Sequence, residues 1–372
     1  MSTVTNNPGG DPDKSIDTIE NAIELREVEG LSQGQIVRRR FLRHRGAMVA
    51  LVVLIGVVIL AVTSIGVGAW TGWWQFRPNT PAPVVDGGHP SIQLPSWLGG
   101  DGGAWFVWGD HPFGQDEIGR DVFARVMRGT QTSLVIMVTV GVIATVVGIV
   151  VGALAGFMRG RTDNILMRLT DLVITMPVIV IGAVLGQLAG GNNPIIFGAF
   201  LGLISWTTLA RLVRGDFLTL REREFVDAAR VAGASNTRIM FKHMIPNAIG
   251  VIIVNTTLLM SSAILLETAL SYLGVGIKSP AVSLGLLISQ YQEAFTTRPW
   301  LFWWPGLFIV VIALCINFIG DGLRDAFDPR QKRIPSERKM ARAARADGSA
   351  ARAIASTVGP GNDVRNAGMG PA

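Results

Sequence analysis

The chain has 372 residues, of which 49% are hydrophobic and 16% charged, and its mean hydropathy is +0.40. Soluble domains carry about 25% charged residues, so this composition excludes an ordinary soluble protein and predicts a membrane protein. The net charge of +6 would also suit nucleic acid, but the basic residues flank apolar runs, so we expect no nucleic-acid partner. A single cysteine, Cys315, excludes an internal disulfide.

Six long apolar runs divide the chain. Each can cross a hydrocarbon core of about 30 Å as a helix, and in a bilayer only helices and closed barrels satisfy the backbone polar groups. The sequence therefore predicts an all-α polytopic membrane protein with six transmembrane helices. The predicted spans are Ala47–Ala69, Ser133–Phe157, Ile165–Leu188, Ile195–Val213, Ala248–Leu273 and Trp300–Ile319.

The distribution of Lys and Arg predicts the orientation. With the N-terminus inside, 27 of the 33 Lys and Arg residues fall in the two tails and the two inner loops, which is the bias of cytoplasmic segments. The basic run 38–45 directly precedes the first span and is the strongest single anchor. Tryptophan clusters at 70–74 and 300–304 then lie at the outer interface, where aromatic belts form. We therefore expect both termini to be cytoplasmic.

The spans imply a division of the chain into five segments. The long outer loop is rich in Gly, Pro and Trp, and it is predicted either to offer a surface to an outer partner or to form an irregular cap packed on the helices. The segments are a cytoplasmic tail (1–45), the first span (46–70), the extracytoplasmic loop (71–132), a five-helix core (133–322) with a cytoplasmic loop at 214–246, and a largely disordered cytoplasmic tail (323–372).

A polar stretch between the fourth and fifth spans predicts a short docking helix. Phe225, Ala228, Ala229 and Ala232 recur at i, i+3, i+4 and i+7, which places them on one stripe of a helix. The paired alanines are small enough for the groove of another protein to close on the backbone. Gly233 predicts the end of this helix, because glycine adopts positive φ without steric cost.

The chain then returns to the bilayer. A second helical segment is expected from Asn236 to Ile245, and Pro246 is expected to mark the start of the fifth span. The alternative for the whole stretch is an amphipathic connector lying on the lipid surface. Such a connector would be expected to carry apolar anchors bulkier than paired alanines.

This stretch resembles the "EAA" loop of ATP-binding-cassette (ABC) importer permeases, which reads E-A-A, three residues, G, nine residues, I-x-L-P. Here residues 227–229 read Asp-Ala-Ala, Gly233 has the required spacing, and residues 242–247 read Lys-His-Met-Ile-Pro-Asn. Asp in place of Glu keeps the charge on a shorter side chain. His243 in place of Ile resembles the peptide-permease branch, which usually reads R-H-x-L-P-N at this point.

Four further blocks, in order along the chain, resemble the dipeptide and oligopeptide permeases. Residues 111–121 are similar to the H-P-x-G-x-D-x-x-G-R-D stretch before the second span, and 222–225 to the K-E-R-E-F/Y that precedes the loop. Residues 267–276 resemble E-A-x-L-S-F-L-G-L-G, and 320–330 resemble the C-terminal G-D-x-L-R-D-x-L-D-P-R. The five blocks together identify the chain as a member of the C-type subunits of this family.

The resemblance implies a type I ABC importer permease (MetI-like) fold in a bacterial cell membrane. It also implies a pore shared with a homologous B-type permease, two cytoplasmic ATPase subunits and an extracytoplasmic peptide-binding protein. The chain contains no G-x-x-x-x-G-K-[ST] phosphate loop, so we expect it not to be an enzyme and to hold no cofactor; ATP and magnesium would be bound by the ATPases.

The resemblance assigns ATPase coupling to one set of residues, and their position in the spans makes two acids candidates for the substrate path or for structural pairing. Glu267 could also meet the ammonium group of a peptide. An outer metal site formed by His111, Asp116 and Asp121 is not expected, because their spacing matches no ligand pattern. The coupling residues are Glu224, Phe225, Asp227, Ala228, Ala229, Gly233, Arg238 and Pro246, and the two acids are Asp171 and Glu267.

Three other functions are compatible with parts of the sequence. The same machinery could import nickel, an opine or a glycopeptide. A secondary transporter driven by an ion gradient is less well supported, because no clear internal repeat is present and the docking stretch would be unexplained. An intramembrane protease lacks a histidine within a span that could activate a serine.

Overall fold

A computed structural model describes residues 33–93, 96, 107–188 and 191–327 of the chain. The expectations for residues 1–32 and 328–372, which make up most of the two tails, concern residues outside this description. The predicted all-α class is confirmed, since the only strands among the described residues form a two-residue hairpin, β1 (Gly66–Val67) with β2 (Trp70–Thr71), and three isolated bridges lie outside it. The helices are α1 (Gln33–Arg43), α2 (Arg45–Ile65), α3 (Val122–Met158), α4 (Gly160–Thr175), α5 (Val178–Leu188), α6 (Pro194–Ser205), α7 (Thr207–Leu220), α8 (Glu224–Val231), α9 (Asn236–Tyr272), α10 (Leu284–Tyr291) and α11 (Trp300–Phe327).

Four helices of the described chain, α2, α3, α9 and α11, are each long and apolar enough to cross a membrane. The third and fourth predicted spans are bent pairs rather than straight helices. The pair α4 and α5 bends by 86°, and the pair α6 and α7 by 47°. Counting each bent pair as one span gives the six that the sequence predicts.

The sharper bend has a local cause. Met176 takes an extended conformation (φ −82°, ψ 129°) immediately before Pro177. Proline disfavours helical geometry in the residue that precedes it, so α4 ends there and α5 starts in a new direction. The prediction of one continuous helix over Ile165–Leu188 was therefore wrong. It was based on the apolar composition of the run, and composition does not indicate where a helix bends.

Two other predicted boundaries also differ. Helix α3 begins at Val122 rather than Ser133, because the Asp121 carboxylate accepts a hydrogen bond from the Ala124 N–H and caps the first turn. The added turns contain buried polar residues such as Arg125 and Thr130, so apolar composition did not mark them as part of the span. The predicted segment Asn236–Ile245 is not separate from the fifth span. A π-helical turn at Ile239–Met244 joins the two and carries α9 past Pro246 without a break.

Helix α3 is the centre of the packing, and glycines let α7 approach its backbone. A Cβ atom placed on Gly152 would lie 2.5 Å from the Ala210 carbonyl oxygen, and one on Gly156 would lie 2.6 Å from the Phe217 Cβ. Gly148 occupies the preceding position of the same four-residue repeat. Small residues at this spacing allow membrane helices to pack closely.

The outer loop packs on the helices as an irregular cap, one of its two predicted forms. The Trp74 indole N–H donates to the Asp121 carboxylate at 2.9 Å, and its ring lies 4.6 Å from that of Phe123. Phe113 stacks on Trp304 at 3.9 Å. The first predicted tryptophan cluster therefore contributes Trp74 to this apolar core and the second contributes Trp300 and Trp304. Trp70, Trp73 and Trp303 remain exposed, as an aromatic belt requires.

The glycine contact between α3 and α7 yields a prediction. Gly152→Val should force the two helices apart, because the new side chain would overlap the α7 backbone, and overpacking costs about 1–3 kcal/mol or more. Gly56→Val on α2 is the matched control, since no atom lies within 4 Å of its Cβ position. Thermal unfolding of the detergent-solubilised protein should show a lowered midpoint for Gly152→Val alone. Equal midpoints for the two variants would contradict this packing.

Candidate functional site

The candidate site is the connection between α7 and α9, residues 221–246, which contains α8. One side chain of α8, Val226, is fully buried. It packs into an inner apolar cluster that includes Phe157 of α3, Phe217 of α7 and Met244 at the start of α9. Helix α8 is therefore anchored on three membrane helices through Val226, and the partly buried Ala229 packs against the same cluster.

Polar contacts hold the same connection against the end of α3. The Arg221 guanidinium donates to the Phe157 carbonyl at 2.6 Å, and Glu222 pairs with Arg159 at 2.5 Å. The Arg230 guanidinium lies 5.9 Å from the Phe157 ring. The Glu222 pair is largely exposed and contributes little energy by itself. Together with Val226 these contacts fix the position of α8 relative to α3.

The opposite side of the connection presents large apolar side chains to the surroundings. Val231 is 91% exposed, Phe241 61% and Phe225 37%. Ala228 and Ala232 are also exposed, whereas Ala229 is partly buried against the inner cluster. The predicted stripe therefore divides between two faces, and Val231 and Phe241, which sequence analysis did not select, belong to the outward face. Their hydrophobicity in a polar stretch was the available signal.

Gly233 ends α8 as predicted. Its φ is +77°, and the turn is closed by two bonds, from Gly233 N–H to the Arg230 carbonyl and from Ala234 N–H to the Ala229 carbonyl. This is the Schellman arrangement, which requires a left-handed residue at the position of Gly233. No atom lies within 4 Å of a Cβ placed there, so the requirement for glycine comes from the backbone alone.

The other predicted coupling residues are spread along the connection. Asp227 pairs with Arg230 at 3.0 Å, and Glu224 is exposed in the first turn of α8. The backbone N–H of Arg238 donates to the Ser235 hydroxyl, which caps the start of α9, and the Arg238 side chain is exposed. Pro246 is exposed in the turn after the π-helical segment. The connection thus exposes both charged and apolar groups.

The two candidate acids have different surroundings. Asp171 on α4 pairs with Arg211 on α7 at 2.5 Å, and about half of each side chain is exposed. Glu267 on α9 is fully buried, and its carboxylate accepts hydrogen bonds from Ser133 at 2.9 Å and Ser271 at 2.8 Å. Glu267 therefore connects α3 with the end of α9, as structural pairing requires.

The outer acids take part in two hydrogen-bonded clusters. His111 and Asp121 are 3.0 Å apart beneath the outer cap, and burial raises the pKa of Asp121. Asp116 pairs with Arg120 at 2.6 Å and accepts from the Tyr291 hydroxyl at 3.1 Å. Burial also raises the pKa of Tyr291, so this hydroxyl remains a donor. Across the described residues no group of three His, Cys, Asp or Glu side chains has the geometry of a metal site.

Comparison with known proteins identifies two family matches. Residues 148–333 match the family described as "Binding-protein-dependent transport system inner membrane component", a range that contains the whole α7–α9 connection. Residues 32–71 match the "N-terminal TM domain of oligopeptide transport permease C".

Two relatives align along most of the chain. It is 36% identical over 323 residues to the oligopeptide transport system permease protein OppC of Escherichia coli K12, covering 86% of this chain and 98% of that protein. It is 34% identical over 317 residues to the protein of the same name from Haemophilus influenzae, covering 85% and 95%.

A solved structure of the MetNI methionine ABC transporter in an inward-facing conformation aligns with 54% of this chain and 95% of its own, at 18% identity and a TM-score of 0.45. Family membership rests on the family match and the two sequence relatives. The chain belongs to the family of binding-protein-dependent transport system inner membrane components.

Proposed function

We propose that this permease forms half of the pore of an ATP-driven oligopeptide importer and is coupled to cytoplasmic ATPases through the α7–α9 connection. The observation that carries the coupling role is the exposed apolar face of that connection. Val231 and Phe241 present large apolar surfaces among charged residues. Burying such surface against a partner is favourable by about 1.5–3 kcal/mol for each side chain.

The anchoring of α8 explains how a push on this face would reach the membrane. Val226 and Arg221 fix α8 to the end of α3, and the glycines of α3 bring α7 into backbone contact. Close-packed helices shift as units because their interfaces do not deform continuously. Displacement of α8 by a closing ATPase dimer would therefore move α3 and α7 together.

The coupling residues have distinct parts in this proposal. Phe225, Ala228 and Val231 contact the ATPase groove, and Gly233 sets the angle at which α8 leaves that groove. Asp227, Glu224 and Arg238 offer charges that fix the register of docking. Ala229 contributes to both faces, because it is partly buried. Pro246 lies in the first turn of α9 after the π-helical segment.

The remaining subunits follow from the family. We infer a heterodimer with a homologous B-type permease, two ATPases that bind ATP and magnesium, and an extracytoplasmic binding protein. The charge bias supports a cytoplasmic location for both termini, on the side of the proposed ATPases. The permease itself performs no hydrolysis and carries no cofactor.

The proposed cargo is an oligopeptide, by relation to the two oligopeptide permeases. Asp171 and Arg211 are the proposed charged pair of the cargo path, because a half-exposed ion pair within the predicted spans is unfavourable in lipid and favours a watery path. The burial of Glu267 supports a structural role for this residue in place of contact with the peptide ammonium.

The exposed face gives the first test. Val231→Asp should lower the affinity of the permease for its ATPases by about tenfold or more, because a charge replaces an apolar contact worth more than 1.4 kcal/mol. The fold should persist, since Val231 is exposed. Val85→Asp in the outer loop is the matched control, because Val85 is also exposed. Co-purification of the ATPases measures the effect, and unchanged recovery with Val231→Asp would refute docking at this face.

Gly233 gives the second test. Gly233→Val should strain the left-handed turn by about 1–2 kcal/mol and lower ATP-dependent uptake, while membrane insertion and basal ATP hydrolysis persist. Gly274→Val is a close control, because Gly274 has the same φ of +77° and the same open surroundings at the other end of α9. Gly233→Asn should recover uptake, since asparagine tolerates this conformation. Normal transport by Gly233→Val would remove the residue from coupling.

The cargo requires a separate measurement. Mass spectrometry of the molecule held by the outer binding protein in the purified complex should find peptides of several residues. If a nickel chelate, an opine or a glycopeptide is found instead, the proposed cargo is wrong, whereas the proposed coupling to the ATPases is unaffected. ATP-driven uptake should continue after the proton gradient is collapsed, and its loss would indicate a secondary transporter.

A further inference from the structure

The start of the described chain is an amphipathic basic helix that is docked on the protein. Ile36, Val37 and Phe41 of α1 are partly buried. The Phe41 ring lies close to α11, since a Cβ on Gly322 would be 3.4 Å from it. One face of α1 thus packs on the rest of the protein, and the opposite face points away from it.

Two contacts of His44 hold the junction between α1 and α2. The His44 ring accepts a hydrogen bond from the Ala47 N–H at 3.0 Å and thereby caps α2. Its other nitrogen lies 3.4 Å from the Asp325 carboxylate of α11. His44 therefore pins the point at which the chain turns from α1 into the membrane span.

Three arginines surround this junction on the accessible side. Arg38, Arg43 and Arg45 are exposed, and within the described part of the chain none of them pairs with a carboxylate. Leu42, between them, is 50% exposed. Three exposed guanidinium groups and one exposed apolar side chain thus adjoin the start of a membrane span.

The adjoining surface of α2 is apolar and uncovered. One face of α2 packs on the protein through the partly buried Leu54, Val57 and Leu60 and the buried Ala47, Ala50, Ala61 and Ser64, and the other face is exposed. The exposed residues next to the arginines are Val49, Val52 and Val53. A molecule that occupied both surfaces would carry an anionic group and a long apolar chain.

We propose that Arg38, Arg43 and Arg45 form a binding site for an anionic phospholipid, with its phosphate on the arginines and its acyl chains along Val49, Val52 and Val53. Basic clusters beside a span attract anionic lipid, and guanidinium groups bind phosphate through paired donors. The apolar face of α2 favours a lipid over a free phosphate ion. The docked helix and the His44 contacts distinguish a formed site from charges that only set orientation.

The test uses the intact transporter complex in nanodiscs and spin-labelled lipids. The wild type should hold more motionally restricted phosphatidylglycerol than phosphatidylcholine, and high salt should reduce the excess. The triple variant R38Q/R43Q/R45Q should lower the relative affinity for phosphatidylglycerol by about a hundredfold, from about fivefold for each charge removed.

Two further variants distinguish binding at this site from a general effect of positive charge on the protein. R38K/R43K/R45K keeps the charges and should retain most of the preference, and R77Q/R128Q removes two arginines from the other end of the protein and should leave it intact. An unchanged preference in the Gln variant would overturn the proposal, as would a wild-type preference that high salt does not alter. Displacement by inorganic phosphate alone would assign the site to a free anion. If the triple variant does not assemble, the single variant R43Q and the wild-type salt series decide the outcome.

Discussion

The contact between α3 and α7 is the constraint on which the rest of the structure depends. Membrane helices have little hydrophobic drive to associate, so their packing relies on close approach and on satisfied polar groups. Gly148, Gly152 and Gly156 give α7 direct access to the α3 backbone. That contact positions Phe157 and Phe217 as neighbours, and the apolar cluster they form is the socket for Val226.

Helix α8 combines two opposite requirements in eight residues. Val226 is buried and holds the helix to the membrane domain, whereas Val231 faces outward and is available to a partner. A coupling element needs both, because force passes only through a body that is attached at both sides. Membership of the permease family supports the proposal that this arrangement binds an ATPase.

Polar side chains within the membrane helices form hydrogen bonds or ion pairs with polar groups of neighbouring turns or helices. Glu267 is enclosed by Ser133 and Ser271, and it ties the outer end of α9 to α3. Asp171 and Arg211 satisfy one another while remaining half-exposed. The buried Glu267 carboxyl would be costly to enclose without these hydrogen bonds. Such acids therefore mark junctions between helices and, where they are exposed, a surface that water or another subunit covers.

Sequence alone determined the all-α class, the number of apolar segments, the short helix between the fourth and fifth spans and the turn at Gly233, because these depend on local composition and on the conformational freedom of one residue. The resemblance found in ordered motifs gave the type I importer permease family, which the family match and relatives confirm. The tertiary structure decided the rest. The 86° bend at Pro177, the single helix through Pro246, and the separation of Val226 from Val231 depend on which surfaces meet. Hydrophobicity does not record whether an apolar side chain faces its own chain, lipid or a partner; only packing determines that.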